Sequence, residues 1–187
     1  EDVQSILFFV TPADVKDTGF LTYDYDDPDK DDDQWLYLPA LKKTKRIATG
    51  DKSGSFMGSD FSYADMTERN LAHYDYTLLK EDVLDGVKVW QVEAIPNTPR
   101  EIDQTGYTKL IHTVRQDNDM MVGTVAWLQR GGRVKYYEVK KLEQIEGIWV
   151  ATQMEMTTRK GDTTLHKTVL DLENVHFDQP MDESRFS

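Results

Sequence analysis

From Thr108 the chain reads as five strand-length runs in succession: Thr108 to Gln116, Met120 to Gln129, Arg133 to Ile145, Ile148 to Thr157 and Thr163 to His176. They are separated by Asp117-Asn118, Gly131-Gly132, Glu146-Gly147 and Gly161-Asp162. Such pairs tolerate the positive φ that tight hairpin turns need, so neighbouring runs should pair antiparallel as a meander. Ile148, Val150, Met154 and Met156 fall on one side of their strand while Gln153, Glu155 and Thr157 fall on the other, which predicts one buried and one wet face.

The first half adds strands of the same kind. Gln4 to Val10 is a nearly continuous apolar run that reads as a central strand, stopped by Pro12. Phe20 to Tyr25 sets Leu21, Tyr23 and Tyr25 against Thr22 and Asp24, the half-buried pattern. His73 onward returns to period two, with Tyr74, Tyr76 and Leu78 on one face and a turn at Asp85-Gly86 into Val87 to Ile95. Pro96, Asn97 and Pro99 then break the chain. The sum is about eight to ten strands, enough for a sheet to curl or close. One helix is expected, from about Tyr63 to Asn70, because Ser62 and Asp65 have capping-box spacing.

Gln34 to Met66 is the stretch with the most unusual composition. Trp35 and Tyr37 alternate with Leu36 and Leu38, so the strand is apolar on both faces and should be covered on both. A basic run follows, Lys42, Lys43, Lys45 and Arg46, which is either a solvated strand end or a contact for an anionic lipid or partner. Beyond it, Phe56, Met57, Phe61, Tyr63 and Met66 are spread among glycines and serines. Large apolar side chains in a loop either cover a core or line a binding surface, and with Trp35 and Tyr37 these residues are the candidate apolar ligand site. The bland reading for Trp35, Tyr37, Trp90, Trp127 and Trp149 is core.

At 187 residues the chain suffices for one domain with a single core. A formal charge of −12 opposes binding to a nucleic-acid backbone. Absence of cysteine removes disulfides, thiolate metal sites and a Cys nucleophile together. The chain starts at Glu1, almost directly in a strand, so any signal peptide is expected to have been removed.

Signals for catalysis or a metal are poor. His73, His112, His166 and His176 lie in different strands without zinc-site spacing. Asp24 to Asp33 holds seven aspartates, and Asp27, Asp29, Asp31 and Asp33 alternate as in a calcium loop, but the sixth and twelfth places hold Asp32 and Leu38 where Gly and Glu are needed. A solvated turn is the simpler reading. Gly54 to Ser59 lacks the lysine and long helix of a phosphate loop. No catalytic residue, metal ligand or cofactor is assigned, and the chain is read as a binding protein and not an enzyme.

DDDQWLYLPALKKTKRI and GSFMGSDFSYADM, with the later KYYEVKKLEQIEGIWVATQMEMTTRKGDTTLHKTVLDLENVHF, resemble the signature stretches and closing strands of the outer-membrane lipoprotein-sorting protein family of Gram-negative bacteria. That family's fold is similar to the periplasmic carriers LolA and LolB. The resemblance spans essentially all of the chain. It implies a mainly β fold, a strongly curved antiparallel sheet or unclosed barrel whose concave apolar face holds acyl chains under a lid of a short helix and loops. It further implies a periplasmic carrier of lipid or lipoprotein acyl chains, in lipoprotein sorting or as accessory to an envelope lipid exporter, with an inner-membrane transporter as a further partner. A protein-interaction module docking such a transporter is the second reading and a lipid hydrolase the third. Family members begin earlier and end in a short helix after a segment like Asp182-Glu183-Ser184-Arg185-Phe186, so residues 1–187 are expected to be a single domain trimmed at both ends.

Overall fold

The computed structural model describes residues 2–27 and 29–180; the tail at 182–186 lies outside them. Among the described residues, eleven strands form two antiparallel sheets. Four short strands, β1 (Val3–Phe8), β2 (Gly19–Asp24), β3 (Asp33–Leu38) and β4 (Lys43–Arg46), pair in chain order. The second sheet is a seven-stranded meander of β5 (Tyr74–Leu84), β6 (Val87–Pro96), β7 (Tyr107–Arg115), β8 (Met121–Leu128), β9 (Arg133–Ile145), β10 (Ile148–Lys160) and β11 (Thr163–Asp171). Its outer strands β5 and β11 do not meet, so the sheet stays open. Strand makes up 54% of the described residues, which bears out the mainly β expectation.

The hairpins form where the turn chemistry places them. Asp85 and Gly86 have φ of 51° and 80°, the mirror-image turn that matches strand twist, and Glu146-Gly147 repeats it at 52° and 87°. The expected boundaries of β9 hold at both ends, while β10 runs three residues past the expected Thr157 and β11 stops at Asp171 instead of His176.

Several expectations are corrected. β1 is an edge strand and not a central one, because its apolar run pairs on one side only. In β2 the deeply buried side chains are Phe20 and Thr22, at 1% exposure each, and not the Leu21 and Tyr23 face. Between Tyr63 and Asn70 only one 3₁₀ turn forms, Tyr63–Met66; its capping box is present, with Ser62 Oγ accepting from Asp65 N–H and Asp65 accepting from Ser62 N–H, but the chain extends at Thr67. The α-helix is instead α1, Pro99–Thr105. Thr98 caps it, Pro99 occupies the first turn and Gly106 closes it at φ 75°.

The two sheets are joined through the segment 47–66. Phe20 of β2 and Leu36 of β3 meet Ile47, Phe56, Phe61 and Met156 of β10 in one buried cluster. A second cluster, Tyr74, Ala94, Tyr107, Leu110 and Ala126, lies on the large sheet near α1.

Candidate functional site

The segment that reads as an apolar loop is a small hairpin. Phe56 N–H donates to Phe61 O at 2.8 Å and Ser55 bridges Ser62, with the reversal made at Met57 and Gly58, φ 52° and 74°. Glycine there serves the turn. Gln34, fully buried, donates from Nε2 to Tyr63 O at 2.8 Å and ties the segment to β3.

Asp60 ties it to the large sheet. Its side chain, 2% exposed, accepts from Thr158 Oγ1 and from Thr168 Oγ1 at 2.8 Å and lies 2.6 Å from His166 Nδ1, while its backbone N–H donates to Thr168 Oγ1. Asp65 makes a second anchor: Tyr107 Oη donates to it at 2.8 Å, Arg69 at 2.9 Å, and Lys135 Nζ stands 3.6 Å away. Burial holds the Tyr107 hydroxyl well above its usual pKa and draws the Lys135 ammonium down, the latter against the opposing pull of Asp65.

The acidic turn is also used structurally. Asp31 accepts from Arg100 and Gln104 of α1 and from Thr49, and Asp33 accepts from Arg46 and Tyr25. Beside it lies a polar cleft of about 390 Å³ that includes Asp24, Asp32, Lys52, Arg69 and Glu101. Burial raises the carboxyl pKa of Asp24 and Asp32 there.

Register then defines the inner face of the large sheet, the one that carries the segment 47–66. One row across it reads Tyr76, Ala94, Leu110, Ala126, Lys135, Thr158, His166. This row lies against the Asp60 and Asp65 anchors. The next row reads Leu78, Val92, His112, Thr124, Tyr137, Met156, Thr168. A third begins with Glu81, Trp90, Val114 and Met121 and continues on β9 to β11 with Val139, Met154 and Leu170. Between them the second and third rows hold ten apolar side chains and, apart from Glu81 at the edge, no fixed charge. The segment 47–66 reaches them toward β9 to β11, where it packs near Met156, Tyr137 and Leu170 and Asp60 bonds Thr168. Toward β5 to β8 the face stays open: Leu78 is 57% and Met121 37% exposed. Exposed apolar side chains grouped on one sheet face make this a candidate binding surface.

A trough of about 610 Å³ lies at the same end of the sheet; Val87, Val89, Thr113 and Gly123 of the outer face line it, and Thr124, Tyr137 and Val139 of the inner rows border it through their strands. Arg115, Glu138 and Lys140 also line it. Those charges would have to be desolvated by an apolar occupant, so the inner face is the better apolar site.

The sequence candidates divide between places. Phe56 and Phe61 are core, at 4% and 8% exposure, with Met57, Tyr63 and Met66 half-buried around them. Trp35 and Tyr37 are not with them, because Leu36 is the β3 residue that faces that cluster; Trp35 packs edge-on against Tyr23 at 5.1 Å and Tyr37 is 40% exposed, so β3 is fully covered on one face only. None of the tryptophans is fully buried, against the core reading. Lys42, Lys43, Lys45 and Arg46 are all exposed at β4 or beside it. Sequence reasoning missed the inner rows because they assemble from strands far apart in the chain.

A family model described as "Uncharacterized protein" matches residues 1–187. A solved DUF1329 family protein from Desulfovibrio piger is 32% identical, with TM-score 0.86, over 100% of this chain and 76% of that one. The chain belongs to the DUF1329 family. A domain named for outer membrane lipoprotein sorting, from Vibrio parahaemolyticus, is 30% identical with TM-score 0.84, over 98% of this chain and 74% of that one. A LolA superfamily protein from Nitrosomonas europaea shares the fold at 17% identity, with TM-score 0.68 over 98% of this chain and 76% of that one. No curated protein matches the chain. The expected likeness to lipoprotein-sorting proteins and the LolA-like fold are therefore borne out.

Proposed function

We propose that this chain is a non-catalytic carrier of the cell envelope, acting in the periplasm, that holds an acyl chain of a lipid or lipoprotein against the inner face of its large sheet. The observation that carries this reading is the pair of half-open inner rows through Leu78 and Val92 and through Trp90 and Val114, which are apolar across several strands. An acyl chain suits such a surface because each buried methylene contributes roughly 0.8 kcal/mol and asks for no polar partner. The name of the Vibrio relative and the LolA-like fold support the same ligand class. Met57 and Phe9, which flank the covered part of the face, would border the chain. The exposed cations Lys42, Lys43 and Lys45 are the proposed contact for anionic lipid or a membrane transporter during transfer.

Titration with a fluorescent fatty-acyl probe tests this. Saturable binding at one site, weakened tenfold or more by Val114→Asp with the fold intact, is the expected result. Concentration-dependent self-association without probe binding would instead make the face a contact between polypeptides.

A further inference from the structure

Two polar side chains, His112 and Thr124, stand side by side within the apolar rows. His112 of β7 is half-buried between Val92 and Thr124, its neighbours across the sheet, and its Nδ1 lies 2.8 Å from Thr124 Oγ1. The Thr124 hydroxyl has one proton, and Met121 Sδ stands 3.3 Å from it as acceptor. With the proton directed there, the hydroxyl oxygen accepts from Nδ1–H, and two hydrogen bonds form where the other tautomer would make one. The lone pair then falls on Nε2, the ring atom without a protein hydrogen bond among the described residues.

We propose that His112 Nε2 accepts a hydrogen bond from the head of the bound acyl ligand, and that this selects chains carrying a hydroxyl or amide N–H over chains that end in an ester. The inference rests on the acyl-binding reading above. Burial, with Arg69 adding repulsion, pushes His112 down to about 4, so the ring is neutral under ordinary conditions and costs an apolar occupant little. A charged residue at that position would repel an acyl chain, and an aliphatic one would give it no fixed orientation.

Displacement of a fluorescent acyl probe by 1-dodecanol, dodecanamide and methyl dodecanoate tests the claim, the first two separating hydroxyl from amide donors. The native protein should bind at least one donor-bearing chain about fivefold more tightly than the ester, the worth of one hydrogen bond. His112→Leu, which keeps the face apolar, should bring the ratio to about one without lowering the melting temperature. Thr124→Val releases the tautomer and should move the preference toward the ester carbonyl. Imidazole ¹⁵N shifts should show Nε2 unprotonated in the native protein. Equal affinities in the native protein, a preference that survives His112→Leu, or a protonated Nε2 overturns the inference. Failure of every probe to bind removes the acyl reading itself and this inference with it.

Discussion

Phe56→Ala should loosen the linking segment 47–66 from the small sheet. The ring is 4% exposed and meets Phe20 at 4.8 Å, Tyr63 at 5.4 Å and Phe9 at 5.7 Å between centroids, so it touches β2, the linking segment and the strand-end of β1 together. Truncating a buried Phe costs about 3–5 kcal/mol, and three aromatic neighbours place this site at the upper end. A domain of this size has a total stability of roughly 5–15 kcal/mol, so much of it goes. Urea unfolding followed by tryptophan fluorescence should show a midpoint lower by roughly 2 M at unchanged slope, given slopes of about 1–3 kcal/mol per M. A loss below about 1.5 kcal/mol would refute the claim that this ring holds the linking segment on the small sheet. Met57→Ser makes the contrast: half-buried at the turn, it should cost only about 1 kcal/mol while weakening acyl-probe binding severalfold, whereas Phe61→Ser should behave like Phe56→Ala.

Asp60→Ala removes a buried acceptor shared by Thr158, Thr168 and His166 and should cost about 3–5 kcal/mol by urea titration; a cost under 1 kcal/mol would mean that the latch carries nothing. Thr98→Ala should destabilise by about 1 kcal/mol through the lost cap of α1, read from the same titration. His112 has its folded pKa pushed down to about 4 from an unfolded value near 6.5, so the unfolded chain binds the proton first and stability falls as pH drops from 6.5 to 4. The native protein should lose roughly 2–3 kcal/mol more over that window than His112→Leu does, and parallel pH profiles would contradict it.

Hairpins were legible because each depends on two adjacent residues, so Asp85-Gly86 or Glu146-Gly147 states its turn locally. The capping box at Ser62 and Asp65 was legible for the same reason, but the helix beyond it was not, since Asp65 is taken up by Tyr107 and Arg69 and the chain leaves at Thr67. α1 was signalled by Thr98, Pro99 and Gly106, and reading the two prolines only as breakers hid it. Which face of β2 is buried could not be read from polarity, because Thr22 is small enough to pack beneath the linking segment while Tyr23 is set against Trp35 on the other side. Asp60 gave no signal in the sequence: its partners lie 98 to 108 residues away and converge only once β10 and β11 pair.

Photo-crosslinking with a palmitoyl chain bearing a diazirine, followed by mass-spectrometric mapping, tests the proposed site most directly. The account predicts label on Trp90, Val114, Met121 and Met154 of the inner rows, displaced by unlabelled palmitate. Label confined to Val87, Val89 and Val125 of the outer trough, or none that palmitate displaces, would contradict it.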